Sequence, residues 1–295
     1  MISRILVSIP VLWLCSVIYA QSDQKYLGQK PPGMEPEKFA PGLISLPSEY
    51  EFGSTFSRDG EEFFYSVSVN GKGETRYMRL LDGKWTDAQV ILAHASFGYN
   101  DPMLSVGEDK LYFISTLSET GDPGDYDIWY IERTHGSWSE PINAGPMINT
   151  EESNEYYISF TASGAMYFAT NKAATPGRGN DFDIYKSEFK YGQFQEAIRM
   201  PFNSEYYEAD VFVAPDESYV IFAAEKPEGS GRGDLYISFQ ENAEWTDPVN
   251  MGELINDPGH QLCPYVTYDG KYFFFTSNQD IYWVDASIIH EYRSE

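Results

Sequence analysis

The chain of 295 residues carries 45 Asp and Glu against 20 Lys and Arg, a formal net charge of −25, and 16% of it is aromatic. A field of that sign repels phosphate backbones and anionic lipid, which excludes nucleic acid and membrane surfaces as partners. The acidity suits the solubility of an exported protein, or a cavity that takes a cation or metal.

The N-terminus reads as a secretory signal peptide over residues 1–20: Arg4, then a mainly apolar run over 5–20 without an acidic residue, with cleavage after Ala20. That run is too short for a spanning helix. Leu14, just before Cys15, is not the small residue that lipid attachment requires. The expected product is soluble and periplasmic or secreted. Cys263 is then its sole cysteine, so stability rests on packing rather than on a disulfide. Residues 21–41, with Pro31, Pro32, Pro36 and Pro41, read as an extended leader lying over the domain.

From residue 42 onward there is no long amphipathic pattern. Short runs rich in Tyr, Phe, Val and Ile alternate with turn residues, the signature of many short strands. Five copies of one strand pair recur over 56–66, 104–115, 160–170, 213–224 and 266–277, at intervals of 48 to 56 residues that suit a four-stranded blade with its loops. The hairpin turns are read at Asp59-Gly60, Ser163-Gly164, Pro215-Asp216 and Asp269-Gly270, as two-residue turns with positive φ. Long Gly-rich connections follow over 67–74, 116–126, 171–182 and 225–233, against a tight one at Asn278-Gln279. Third strands open on Asp127-Ile128-Trp129, Asp183-Ile184-Tyr185, Asp234-Leu235-Tyr236 and Asp280-Ile281-Tyr282; Trp85, Trp138, Phe194 and Trp245 recur as packing between blades. The last copy lacks a fourth strand, and 42–47 stand where one would be supplied. The prediction is an all-β fold: a five-bladed β-propeller of four-stranded antiparallel blades over 42–285, closed by N-terminal strand pairing with the C-terminal blade, with a tail over 286–295.

Ser57, Asp59-Gly60 and Tyr65, together with Tyr268-Asp269-Gly270 and the Asp-Ile-Trp/Tyr strands, resemble the WD40-like β-propeller repeat of TolB and other exported bacterial proteins. The resemblance covers nearly all of 42–285 and implies the fold. It leaves activity open, because such repeats serve as binding modules, as scaffolds in envelope complexes and less often as enzymes.

Two sets of residues precede the innermost strands' apolar anchors. Five positions before them stand Glu51, Tyr99, Glu155, Glu208 and Gln261; three positions before stand Gly53, Asp101, Tyr157, Asp210 and Cys263. A spacing of two keeps both sets on one face of a strand, so a ring of carboxylates interleaved with tyrosine is expected at the channel mouth. Tyrosine beside carboxylate suits sugar recognition, and the mouth is read as a site for a carbohydrate, cell-wall fragment or envelope protein, with Arg178 and Arg232 in reach from the loops. The alternative is a glycoside hydrolase or polysaccharide lyase: Glu155, Glu208 and Asp101 would supply acid and base if a pair lay about 5 to 9.5 Å apart, and His260 is the best-placed histidine. A third reading is a scaffold subunit without a pocket. No cofactor is required; calcium is possible, with Asp125/Asp127 and Asp181/Asp183 as weak loop fragments. The protein is expected to be a monomer, with a cleft open at the fifth blade near His260 and Glu51.

Overall fold

The computed structural model describes residues 24–118, 123–172 and 181–293. The signal segment with its cleavage site, Arg178, and parts of the connections 116–126 and 171–182 lie outside the described residues.

Five antiparallel sheets stand in a ring, each four strands deep from axis to rim. Their innermost strands are Glu51–Phe56, Tyr99–Leu104, Glu155–Phe160, Tyr207–Val213 and Leu262–Val266. Second strands are Glu62–Val69, Lys110–Ser115, Met166–Thr170, Tyr219–Glu225 and Tyr272–Ser277. Third strands are Lys72–Leu81, Asp127–Thr134, Asp183–Ser187, Asp234–Glu241 and Asp280–Asp285. Because each blade is covered by a neighbour on both faces, second strands carry apolar runs rather than strict alternation. Phe63, Phe64, Phe168, Phe222 and Phe274 are all fully buried there. Trp138 reaches the preceding blade, 6.1 Å edge-on from Phe64, and Trp245 meets Phe202 at 5.4 Å in the same way.

The first hairpin of every blade spans four residues, not the two read from sequence. Gly60, Glu108, Gly164, Glu217 and Gly270 each donate to the carbonyl three residues earlier, at 2.8–2.9 Å, and each has positive φ. One left-handed residue closing a four-residue turn matches the strands' twist as well as a two-residue turn does. In the first blade the long connection read over 67–74 is instead strand throughout, turned by Asn70-Gly71 at φ +52° and +76°.

An asparagine stitches three of the connections to the blade that each leaves. Asn149, Asn203 and Asn256 accept from the N–H and donate to the carbonyl of Ile128, Ile184 and Leu235, at 2.7–3.1 Å. Replacing Asn256, which is 2% exposed, with alanine orphans both backbone groups. The expected loss is about 2–3 kcal/mol in denaturant unfolding; a loss under about half a kilocalorie would show that water replaces the clamp.

The ring closes through the N-terminal segment, but not where the sequence reading put it. Glu37–Lys38 pairs with Asp280–Asp285 as the fifth blade's outer strand, in register Glu37↔Trp283 and Lys38↔Tyr282. Residues 42–47 form turns instead. They are the blade-to-blade connection: Ser45 takes the asparagine's place opposite the Ile281 carbonyl, and the Leu46 N–H donates to Glu51 at 3.1 Å. Proline at both ends of this stretch and a left-handed Gly42 make it a poor strand. The leader is therefore part of the closure. Phe39 is fully buried, and Tyr26 sits edge-on to Phe56 and Tyr272 at 5.1 and 4.9 Å. At the other end, the 3₁₀ helix Ala286–Tyr292 ties back through the Tyr292 hydroxyl, 2.7 Å from the Met251 carbonyl.

Candidate binding site at the channel mouth

The two residue sets do not share one face, because each innermost strand carries a β-bulge between them. The register against the second strand shifts at Gly53, Asp101, Tyr157, Asp210 and Cys263. All five of those residues are left-handed, with φ between +45° and +54°. An extra left-handed residue re-aims its own side chain, and the sets separate accordingly.

The bulge residues fill the axis. Tyr157 of the third blade crosses to the fifth, its hydroxyl donating to the Pro264 carbonyl at 3.1 Å. The Cys263 thiol crosses over the first blade to Asp101 Oδ1 at 3.3 Å. That meeting depends on Gly53: a Cβ there would stand 2.3 Å from the same oxygen and 2.9 Å from the Asp101 backbone. The Cys263 N–H serves Asp210. Cys263 and Tyr157 are each 2% exposed, while Asp101 and Asp210 beside them keep partial exposure. Burial lifts Asp101 to about 6 and Asp210 to about 7, the latter helped by the charge of Asp101.

The other set is withdrawn from solvent. Glu51, Glu155, Glu208 and Gln261 are fully buried and fasten the incoming connection to the strand. Glu155 accepts from the Ser153 hydroxyl at 2.8 Å, the Thr170 hydroxyl at 2.9 Å and the Thr150 N–H at 3.3 Å. Glu208 accepts from the N–H and hydroxyl of Ser204. Gln261 does the same work as a neutral amide, donating to Asp257 at 2.7 Å and Ser277 at 3.1 Å. Desolvation raises Glu51, Glu155 and Glu208 to about 7 in each case. Tyr99, the tyrosine of this set, is a core residue edge-on to Phe113 at 5.4 Å. Glu155 and Glu208, read as a candidate acid and base, are therefore both closed off from solvent, each with its carboxylate engaged by the strand or connection beside it.

The half-buried residues around these carboxylates are aromatic. Tyr50, Tyr156 and Tyr207 all feel the charges of Asp101 and Asp210 or of Asp210 alone, and burial together with those charges pushes their hydroxyls well above the usual range. Tyr126, Tyr156, Phe182 and Tyr207 form a continuous row with ring centroids 4.9, 5.0 and 5.7 Å apart. Arg232 is exposed at the rim. His260 packs against Gly233, with its pKa lowered by burial and by the charge of Arg232.

Beside this row, between the third and fourth blades, lies a cleft of about 640 Å³ lined by Asp181, Glu205, Tyr206, Tyr207, Glu225 and Lys226. The opening expected at the fifth blade is a separate hollow of about 310 Å³, and neither His260 nor Glu51 lines it; Glu35, Asp257 and Tyr282 do. Of the calcium fragments, Asp127 accepts from Asn143 at 2.9 Å and Asp183 forms a bidentate pair with Arg199 at 2.6 and 2.7 Å. Asp125 is exposed and Asp181 belongs to the cleft. Among the described residues no three His, Cys, Asp or Glu side chains converge as metal ligands.

Solved structures share this architecture. A putative TolB from Agrobacterium tumefaciens matches over 78% of this chain and 70% of its own, with a TM-score of 0.51 at 14% identity. The chain folds as a TolB-like β-propeller. A Dyadobacter fermentans protein of unknown function matches over 87% and 83% of the two chains, with a TM-score of 0.51 at 13% identity. TolB from Acinetobacter baumannii matches over 80% of this chain at 14% identity and a TM-score of 0.49, and this chain spans only 54% of it. No protein-family model and no curated protein matches the sequence. In this TolB-like propeller, no helix among the described residues is long and apolar enough to cross a membrane. The asparagine clamps and the partners of the buried glutamates were missed from sequence, although Asn149, Asn203 and Asn256 recur at the blade period.

Proposed function

We propose that this chain is an exported binding propeller whose ligand is a carbohydrate or cell-wall glycan, held on the upper face in the cleft between the third and fourth blades. The observation that carries the reading is the pair of half-buried tyrosines, Tyr206 and Tyr207, lining a 640 Å³ cleft that also holds Glu205, Glu225 and Lys226. Aromatic rings offer flat apolar area to the carbon face of a pyranose, and a few fixed polar groups orient its hydroxyls. Export rests on the apolar segment that follows Arg4. Binding fits better than cleavage, because Glu51, Glu155 and Glu208 are fully buried and brace the strands.

A thermal-shift screen against a panel of glycans and peptidoglycan fragments tests this. A ligand at about 100 times its Kd should raise the melting temperature by about 5 °C. Glu225→Gln and Tyr207→Ala should remove the shift, while Glu155→Gln, away from the cleft, should keep it. If no glycan shifts the wild type, the upper face serves a protein partner and the carbohydrate reading fails.

A further inference from the structure

The opposite end of the channel has a character of its own. Just before each blade's apolar anchor stand Thr55, Met103, Ser159, Phe212 and Tyr265, one from every blade, and together they wall a cavity of about 80 Å³. Its polar atoms are already satisfied. Thr55 Oγ1 reaches Met103 Sδ at 3.8 Å, Ser159 Oγ accepts from the Val213 N–H at 3.0 Å, and the Tyr265 hydroxyl is held between the N–H and carbonyl of Phe56 at 3.2 and 3.1 Å. What remains for a visitor is mainly carbon surface, with one residue from every blade around it.

We infer that this lower mouth is a second binding site, which takes one aliphatic side chain presented by an extended peptide segment of a protein partner. Size sets the side chain. An apolar cavity of about 150 Å³ takes a benzene ring, so one of about 80 Å³ fits the smaller side chain of valine or leucine and excludes the indole of tryptophan. The rim sets the peptide. The Arg58 guanidinium lies 4.0 Å over the Tyr268 ring and donates to the Val106 carbonyl at 3.0 Å. Glu108 sits on the same side, accepting from the Arg58 N–H through one carboxylate oxygen. A cation and an anion side by side complement the carbonyl and N–H of a peptide backbone rather than a ligand of single charge, and Tyr268, 47% exposed, offers a flat flank for the chain on either side. The five-walled pocket takes a protruding group and not a flat surface.

This site lies on the face away from the glycan cleft, so the two readings stand or fall separately. The test is a titration of methyl-labelled methionine protein with capped tripeptides Gly-X-Gly, with X as Ala, Val, Leu or Trp, followed by NMR of the Met103 methyl. Leu and Val peptides should move that resonance and leave the other methionines in place, and Trp should not. Ser159→Leu, which fills the cavity, should abolish the shift. Arg58→Ala, at the exposed rim where folding is not at risk, should weaken binding by about tenfold. A Met103 signal that ignores every peptide overturns the site. A signal moved equally by 2-methyl-2-propanol and by the leucine peptide, or unaffected by Arg58→Ala, overturns its assignment to a peptide.

Discussion

Raising the pH from about 5 to about 8 should lower the melting temperature of this propeller by at least about 10 °C, on the order of 2–4 °C for each kcal/mol lost. Five carboxyls carry the effect: Glu51, Glu155, Glu208 and Asp210, lifted to about 7, and Asp101, lifted to about 6. In the unfolded chain each titrates near its ordinary value, so between about pH 4 and 7 the folded state holds more protons than the unfolded one. Their contribution is complete below the unfolded values and is lost as pH rises through the folded ones. A shift of two units corresponds to roughly 3 kcal/mol for a single buried group. The net charge of −25 adds self-repulsion of the same sign as pH rises. Below about pH 4 the trend reverses, because Asp257 and Asp269, held below the usual carboxylate range chiefly against burial by their hydrogen bonds, lose those bonds on protonation.

The fifth blade supplies the control. Gln261 occupies the glutamate position as a neutral amide and makes the same brace. Glu208→Gln keeps Oε1 on Ser204 and places its amide where Oε2 has no partner. The variant should therefore fold, gain about 1–2 kcal/mol over the wild type at pH 8, and show a shallower dependence of stability on pH, whereas Gln261→Glu should steepen it. A wild type whose melting temperature climbs from pH 5 to pH 8 would contradict the assignment of burial as the dominant force on these carboxyls.

Gln261 also shows how far the sequence could be read. The period of the copies, the apolar second strands and the missing fourth strand were enough for blade number and closure, since they depend on patterns that local physics enforces in every copy. The placement of Glu51, Glu155 and Glu208 was not legible, because the alternation rule fails where a residue is left-handed. Four of the five bulge residues are Asp101, Tyr157, Asp210 and Cys263, which give no local sign of positive φ; only Gly53 hints at it. Spacing could have corrected the closing strand: in the other blades the outer strand begins 10 to 13 residues before the next innermost strand's buried Glu, Tyr or Gln, and Glu37 stands 14 before Glu51. The cleft of Tyr206, Tyr207 and Glu225 depends on how two connections lean together, which no periodicity encodes.

Phe39→Ala should destabilise the propeller by about 3–5 kcal/mol, more than any other substitution in the N-terminal segment. Only two residue pairs join Glu37–Lys38 to the fifth blade, extended by the Phe39 N–H on the Ile281 carbonyl at 2.8 Å. Hydrogen bonds worth about 1 kcal/mol each cannot by themselves hold the last seam of a ring. The side chain does that. Its ring is fully buried and meets Phe56 and Phe63 of the first blade, at 5.9 and 5.5 Å, and Phe274 and Trp283 of the fifth, both at 5.0 Å. Truncation leaves a cavity between the two blades, which the Tyr26 contact with Phe56 and Tyr272 and the Tyr265 hydroxyl on the Phe56 backbone still join. Lys38→Ala removes a half-exposed pair with Asp280 and should cost under about 1 kcal/mol. Hydrogen exchange then locates the effect: in Phe39→Ala the amides of Asp280–Asp285 should exchange ahead of those in the third and fourth blades. Uniform acceleration across all five blades would mean that the ring melts as one unit and that closure is not its weak point.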